Sequence, residues 1–340
     1  MRPRLLPLPL LLAACTAAPP QGPVAYQPSP AMRTQLAELQ RLRPQPYPSL
    51  TPEEMRRQPQ LLDAARAVEN VKGLPYPELP VPQFQLVAAE GETGPLPARL
   101  YQPKAPKNAP LILYFADSFV APNLDAADVA ARALVQQTGD VVVVAGMRPA
   151  PESRFPTAHT DALAVLGWAR KNARSWGADP SRLVLAGEGT GALLALTTAI
   201  AARNDHLPRP SHLLLITPMA APPPYGGPWA RAQPRPAYDA RWDLRQYTGG
   251  SIPRDPRLDP LHLADLRYLP PVTMVLAEGD PLRPDAEALL DKLRAAGVPA
   301  QARIFPGASA EFFPLGQVVP DAKGAEGFVG DQLKAAFGRG

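Results

Sequence analysis

The sequence predicts an α/β fold, with a mostly parallel, doubly wound sheet under a helical cap. Short, continuously apolar segments at 111–115 and 141–145 are typical of strands that are buried on both faces of a sheet. They alternate along the chain with segments whose apolar residues recur at helical spacing. A third apolar strand, at 183–186, passes through a small-residue turn straight into an apolar helix. This alternation is the pattern of a parallel sheet with helices on both faces.

The start of the chain predicts a signal peptide over residues 1–14. Arg2 and Arg4 form a charged beginning, residues 5–12 are apolar, and small residues precede Cys15, the single cysteine of the chain. This arrangement resembles a bacterial lipobox, in which the cysteine is acylated and becomes the mature N-terminus. The alternative is a plain signal peptide with an incidental cysteine. Residues 15–30 then read as a lipidated tether, because their Ala, Pro and Gly content cannot build a core.

The tether places the expected protein in the cell envelope. The lipobox implies attachment to a membrane through Cys15, and Thr16 after it does not call for retention at the inner membrane. We therefore expect an outer-membrane lipoprotein facing the periplasm, or one on the outer face of a single membrane. The apolar run is too short for a membrane-spanning helix.

Charge argues against a nucleic-acid partner. The net formal charge is +4, and without Arg2 and Arg4 it falls to +2, with no basic run. One cysteine excludes an intrachain disulfide. No cofactor or metal is expected, since no motif for either occurs.

Helices ahead of the first strand predict an N-terminal cap over residues 31–80. Apolar residues at helical spacing indicate a helix at 31–43, and a capping box at Thr51 with Pro52 behind it opens a second helix. Pro59 interrupts that helix, which resumes over 61–71.

The main domain is predicted over residues 81–340. Its further strands are expected at 83–88, 98–101, 213–217, 272–277 and 300–305, and its helices at 126–137, 162–176, 285–296 and 331–337. Residues 219–268 are proline-rich and too long for a simple connection, so they are predicted to form a second cap segment. Five aromatic residues of this segment are expected either to line a ligand pocket or to form its core: Tyr225, Trp229, Tyr238, Trp242 and Tyr247.

The turn after the 183–186 strand is Gly187-Glu-Gly-Thr-Gly191, which has the setting of a G-x-S-x-G nucleophile elbow with Gly189 at the middle position. One further stretch precedes this turn, Met147-Arg-Pro-Ala-Pro-Glu-Ser-Arg-Phe-Pro156, and two follow it, Glu278-Gly-Asp-Pro-Leu282 and Phe305-Pro-Gly307. From about Met32 to Phe337 the chain resembles the hormone-sensitive-lipase-like family of α/β-hydrolases, the small bacterial carboxylesterases. The resemblance implies the α/β-hydrolase fold and a site made of a serine, a histidine, an acid and backbone donors.

The resemblance places Asp280 at the acid position, Gly189 at the serine position and Ala310 at the histidine position. The family's glycine-rich oxyanion loop corresponds to Ala116, Asp117 and Ser118, with Thr190 after the elbow as a further donor. A carboxylate at Asp117 would repel a developing negative charge by about 4 kcal/mol at 4 Å and an effective dielectric near 20. We therefore expect the oxyanion site to be degraded.

Three hydroxyl groups are candidate displaced nucleophiles: Thr190, Ser118 and Ser309. Each lacks an evident base in the sequence, and a small structural residue is the competing interpretation. His159 is interpreted as a structural or solvated histidine. Glu188 and Asp280 could form an acid pair for acid–base or metal chemistry, although hydrogen-bonded carboxyl groups are the interpretation that two carboxylates alone favour.

These substitutions favour a catalytically inactive binding or scaffold protein, with a small acyl or hydrophobic ligand in the cap-covered cleft. The alternative is a divergent hydrolase of small acyl esters that uses relocated catalytic groups. The sequence names no protein partner.

Overall fold

The computed structural model describes residues 26–91, 93–223 and 240–339. The predicted signal peptide at 1–14, Cys15 and most of the tether lie outside these residues, as do Tyr225, Trp229 and Tyr238. Across the described ranges, no helix combines the length and apolar character that a membrane crossing requires.

Within the described residues, eight strands form one sheet: β1 (Gln83–Glu90), β2 (Pro95–Gln102), β3 (Ala109–Phe115), β4 (Val141–Ala145), β5 (Ala178–Glu188), β6 (His212–Ile216), β7 (Val272–Gly279) and β8 (Ala300–Ser309). The α-helices in these same ranges are α1 (Pro30–Arg41), α2 (Pro52–Met55), α3 (Leu61–Val71), α4 (Leu124–Thr138), α5 (Thr157–Asn172), α6 (Thr190–Asn204), α7 (Ala240–Thr248), α8 (Arg283–Ala295) and α9 (Pro320–Ala336).

The strand order is β1-β2-β4-β3-β5-β6-β7-β8. The first two pairings, β1 with β2 and β2 with β4, are antiparallel, and the remaining strands run parallel. Residues 111–115 of β3, all of β4 and residues 183–186 of β5 are buried on both faces, as their continuously apolar sequences predict. The predicted α/β-hydrolase fold, with a mostly parallel sheet, is confirmed.

Because β3, β5, β7 and β8 run the same way, their carboxyl ends meet at one edge of the sheet. This edge carries the turn after Glu188, the loop after Phe115, and the ends of β7 and β8. In open α/β sheets, ligands bind outside the carboxyl ends of the strands. We call it the carboxyl edge.

The helices before β1 pack over the carboxyl edge. Met32 of α1 and Leu61 of α3 are fully buried in one cluster with strand residues of the sheet. Arg56, just after α2, donates to the carbonyl oxygens of Val120 (2.9 Å) and Ala150 (2.7 Å), which fastens the helices to loops at this edge. The division into cap and main domain stays a prediction.

A short extended segment, residues 26–29, precedes α1 and lies across the ends of β7 and β8; we call it the N-terminal strap. Tyr26 Oη donates to the carbonyl oxygen of Gly307 at 3.1 Å, and the backbone N–H of Ser29 donates to the same oxygen at 3.0 Å. The Tyr26 ring lies where a Cβ on Gly279 would project. The strap thus closes over the carboxyl edge from the side of β8.

The closing helix α9 begins at Pro320, eleven residues before the predicted start at 331. Glycines at 324, 327 and 330 weaken the helical signal there, because glycine is a poor helix former. One of them is required by packing, since a Cβ on Gly330 would lie 2.9 Å from the Cβ of Gln137 in α4.

Candidate active site

The turn between β5 and α6 has the geometry of a nucleophile elbow. Gly189 stands at its tip with φ 55° and ψ −117°, a conformation that strains any residue with a Cβ. A Cβ on Gly187 would overlap the backbone of Gly191, and a Cβ on Gly191 would overlap the carbonyl of Phe115. The flanking glycines are therefore set by the close approach of β3, β5 and α6.

The carboxylate of Asp117 occupies the space in front of the elbow tip. A Cβ built on Gly189 would overlap that carboxylate. Asp117 Oδ1 accepts hydrogen bonds from the backbone N–H of Thr190 (2.8 Å), the hydroxyl of Thr190 (3.0 Å) and the backbone N–H of Ser118 (2.7 Å). Among the described residues, all of these donors reach Oδ1, and Oδ2 receives none.

Burial raises the pKa of Asp117 to about 7, and the negative charges of Glu311 and Asp243 act in the same direction. The N–H groups of Thr190 and Ser118 oppose this rise by stabilising the ionised form. A carboxyl group with such a pKa is partly ionised at neutral pH, which is the state a general base requires.

The loop that carries Asp117 is held by a carboxyl group that the sequence analysis missed. Asp243 of α7 is fully buried and accepts from the Ser118 hydroxyl (2.7 Å) and from the N–H groups of Phe119 (2.9 Å) and Val120 (3.1 Å). The only available sequence signal was a single acidic residue between Trp242 and Leu244 in an aromatic segment. This places the Ser118 hydroxyl in a structural network.

A cavity of about 60 Å³ lies beside Asp117, below α2 and α3. Its lining is apolar on the cap side, with Met55, Leu61 and Leu62, and acidic on the sheet side, with Asp117, Glu188 and Glu311. Lys, Arg and His are absent from the described residues that line it. Ala116 and Ser118 also line the cavity, so the predicted oxyanion loop forms one of its walls.

Glu188, the last residue of β5, projects into this cavity from its floor. Only 6% of the residue is exposed, and its Oε1 has no hydrogen-bond partner among the described residues. The Tyr114 hydroxyl donates to Oε2 at a long 3.5 Å. Burial, and then the charge of Asp117, raise the pKa of Glu188 well above its usual value.

Asp280 lies at the carboxyl edge just beyond β7 and is 3% exposed. Its Oδ1 accepts from the N–H of Leu282 at 2.9 Å, and burial raises its pKa to about 7. The Ser309 hydroxyl donates to Met32 Sδ (3.2 Å) and to the carbonyl of Ala310 (3.1 Å), so it faces α1 rather than the elbow.

His159, Tyr247 and Trp242 form part of the packing beneath the loop. The Tyr247 hydroxyl lies 2.9 Å from His159 Nδ1, and His159 Nε2 lies 3.1 Å from the carbonyl of Arg257. Burial lowers the pKa of His159 to about 4, so the ring is neutral. Tyr247 stacks on Phe119 with ring centroids 4.0 Å apart, and neither it nor Trp242 lines the cavity. These two aromatic residues belong to the core.

The comparisons with known proteins agree with the fold. A sequence model of the alpha/beta hydrolase fold matches residues 112–314. The chain belongs to the α/β-hydrolase family. Within the family, it is 31% identical over 256 residues to an ethyl acetate hydrolase of Pseudomonas putida, covering 71% of this chain and 78% of that protein.

Two further relatives carry similar names. A carboxylesterase of Mycobacterium tuberculosis is 32% identical over 262 residues, covering 74% of this chain and 81% of that protein. The solved structure of a hyperthermophilic esterase from Pyrobaculum calidifontis superposes with a TM-score of 0.79 at 27% identity, covering 91% of this chain and 98% of that one.

The expectation of a catalytically inactive binding or scaffold protein is wrong. The relatives of this α/β-hydrolase are named as esterases and its fold is that of solved esterases, which favours the alternative, a hydrolase of small acyl esters. In the sequence, Gly189 and Ala310 leave no serine or histidine at the catalytic positions that the resemblance implies, and Asp117 is expected only to repel a developing negative charge. The sequence does not indicate that the Asp117 carboxylate reaches the elbow tip, where Thr190 and Ser118 donate to it.

Proposed function

We propose that this protein hydrolyses esters of small acyl groups, with Asp117 as the general base that activates water. The carrying observation is the position of the Asp117 carboxylate, which fills the space where a side chain at Gly189 would project. By resemblance, Gly189 and Ala310 stand where the family has serine and histidine, so the proposal relocates the base to the neighbouring loop. The names of the relatives support the substrate class.

In the proposed reaction, Asp117 Oδ2 takes a proton from a water molecule while the water oxygen attacks the ester carbonyl carbon. Collapse of the tetrahedral intermediate breaks the bond to the alcohol oxygen, and the proton passes from Asp117 to the departing alkoxide. The products are a carboxylic acid and an alcohol. The N-terminus of α6, fifteen residues long, lies beside Asp117 and favours negative charge at this position.

Asp117 could also act as a base for the Thr190 hydroxyl, because the Thr190 Oγ1 atom lies 3.0 Å from Asp117 Oδ1. Thr190 is 1% exposed, whereas Asp117 is half-buried and reaches the cavity. We therefore assign Asp117 as a base for water rather than for Thr190.

The test is hydrolysis of ethyl acetate by the purified protein, followed as acid release at constant pH. Asp117→Asn keeps the size of the side chain and removes the base, so kcat/KM should fall about 10²- to 10⁴-fold. In the wild type, kcat/KM should rise with pH through an apparent pKa near 7, because the ionised form of Asp117 is the active one.

Asp125→Asn is the matched control, since Asp125 is an exposed partner of Arg99 on α4. A fluorophosphonate adduct on Thr190 would instead identify that hydroxyl as the nucleophile. Equal activity of the wild type and Asp117→Asn would overturn the assignment of Asp117.

A further inference from the structure

The cavity beside Asp117 has an excess of hydrogen-bond acceptors. Glu188 Oε1 is buried and without a partner among the described residues, and Asp117 Oδ2 receives no described hydrogen bond. The described lining offers no cationic side chain to satisfy them. A ligand that fits such a lining must donate hydrogen bonds and is favoured if it carries positive charge.

A metal ion does not meet these requirements. Among the described residues, no group of three or more His, Cys, Asp or Glu side chains is placed to hold one. An ammonium group has three donors and no acceptor, which matches the three carboxyl groups of the lining. The apolar wall of Met55, Leu61 and Leu62 would contact the carbon atoms attached to it.

The size of the cavity limits the ligand. About 60 Å³ is several times the 10–15 Å³ that one water needs, so the cavity holds a group of a few non-hydrogen atoms.

We propose that this cavity binds a small ammonium group through Glu188, and that the substrates of this hydrolase are small esters which carry one. The second half rests on the proposed function, whereas the first half concerns binding alone. With the ammonium group at Glu188, the ester carbon would extend toward Asp117, which lines the same cavity.

Binding should change the protonation of Glu188. The groups that interact electrostatically with Glu188 supply no positive charge: they are Tyr114, Asp117, Asp280 and Glu311. A bound cation favours the ionised carboxylate, so binding near neutral pH should release protons into the buffer.

The binding test is calorimetric titration of the full chain with ethylammonium chloride, repeated in two buffers of different ionisation enthalpy to count protons. Sodium chloride controls for ionic strength, and ethanol serves as a neutral ligand of the same number of non-hydrogen atoms. We expect a millimolar Kd for ethylammonium with proton release, and at least tenfold weaker binding of ethanol.

Glu188→Gln should weaken ethylammonium binding at least tenfold and lower the number of protons released. Glu90→Gln is the matched control, because Glu90 is exposed on β1 and pairs with Lys171. Should Glu188→Gln fail to fold, Ala127→Leu, which fills the cavity from α4 without altering charge, must block binding instead. Ethanol binding as well as ethylammonium, or an unchanged affinity in these variants, would overturn the proposal.

Turnover separates this inference from the proposed function. Glycine ethyl ester and ethyl propanoate differ by an ammonium in place of a methyl group, and their rates are compared after division by the uncatalysed rates. We expect at least a tenfold preference for glycine ethyl ester that is lost in Glu188→Gln. If Asp117→Asn abolishes hydrolysis but ethyl propanoate is preferred, the result supports the esterase activity and contradicts the ammonium site. If ethylammonium binds but neither ester is hydrolysed, the result supports the ammonium site and contradicts the esterase activity.

Discussion

At the scale of single residues, Gly189 and Asp117 share one space. The turn keeps φ 55° and ψ −117° at Gly189, and the Asp117 carboxylate lies where its Cβ would be. A side chain at position 189 would therefore meet both backbone strain and a filled volume. These two effects can be separated, because only the second depends on Asp117.

Gly189→Ser should lower the free energy of unfolding by roughly 1–3 kcal/mol from backbone strain alone, and by more while Asp117 is present. Asp117→Gly combined with Gly189→Ser should recover the part that comes from overlap. Thermal unfolding of the wild type, both single variants and the double variant measures the coupling between the two positions. Additive changes in Tm would mean that the Asp117 carboxylate moves aside without cost, contrary to the overlap described above.

The buried carboxyl groups also make stability depend on pH. Burial raises the pKa of Asp280 to about 7 in the folded protein, whereas an unfolded Asp titrates near 3.9. Between these values the folded state binds a proton that the unfolded state has lost, so stability falls as pH rises. From pH 5 to pH 8, Asp280 should remove roughly 2–3 kcal/mol of stability.

Asp280→Asn should abolish this loss, so the variant gains stability relative to the wild type as pH rises from 5 to 8. Urea unfolding at several pH values measures the difference, and Asp125→Asn provides an exposed control. Parallel stability profiles of Asp280→Asn and the wild type would contradict the raised pKa.

The sequence was sufficient to locate the elbow, but not to predict which side chains contact each other around it. Gly187 and Gly191 were recognisable because close backbone approach demands glycine, and that demand is local. The direction of the Asp117 side chain depends on donors 73 residues away, at Thr190. Asp243 reaches the loop across 125 residues to Ser118 and carries no motif. Such contacts arise only from tertiary structure, which the spacing of residues along the chain does not encode.

At the scale of elements, α9 contains glycines of two kinds. A Cβ on Gly327 would meet nothing within 4 Å, whereas a Cβ on Gly330 would lie 2.9 Å from the Cβ of Gln137. Gly327 therefore lowers the stability of the helix and no close contact requires it, whereas Gly330 allows α9 to approach α4.

Gly327→Ala should therefore stabilise the protein by about 0.5–1 kcal/mol, since alanine is the better helix former. Gly330→Ala should destabilise it by about 1–3 kcal/mol, because the contact with Gln137 forces the helices apart. The two variants carry the same substitution in one helix, so a comparison of their Tm values isolates packing. A stabilising Gly330→Ala would show that α4 yields without loss.

The same contrast explains which elements the sequence predicted. Apolar runs located β3, β4 and β5 to within two residues at their carboxyl ends, because burial on both faces leaves a continuous pattern. The start of α9 was missed because Gly324, Gly327 and Gly330 hide a helix that tertiary packing stabilises.

At the scale of the whole molecule, attachment to a membrane remains a prediction from Cys15. Cys15→Ala should release the protein from the membrane fraction, because acyl chains supply the affinity that a weakly charged chain cannot. Fractionation and palmitate labelling of the wild type and the variant measure this. Continued labelling and sedimentation of Cys15→Ala would contradict acylation at that residue.

The N-terminal strap would connect a lipid anchor at Cys15 directly to the carboxyl edge. Tyr26 lies eleven positions after Cys15 along the chain and is fixed to Gly307 at the carboxyl edge. A chain of that length spans at most about 36–40 Å when fully extended. A lipid anchor attached through this short connection would limit the distance between the membrane surface and the elbow with its cavity. An acylated protein would then meet esters that partition into the bilayer at a far higher local concentration than those in bulk water, whatever the orientation of its opposite side.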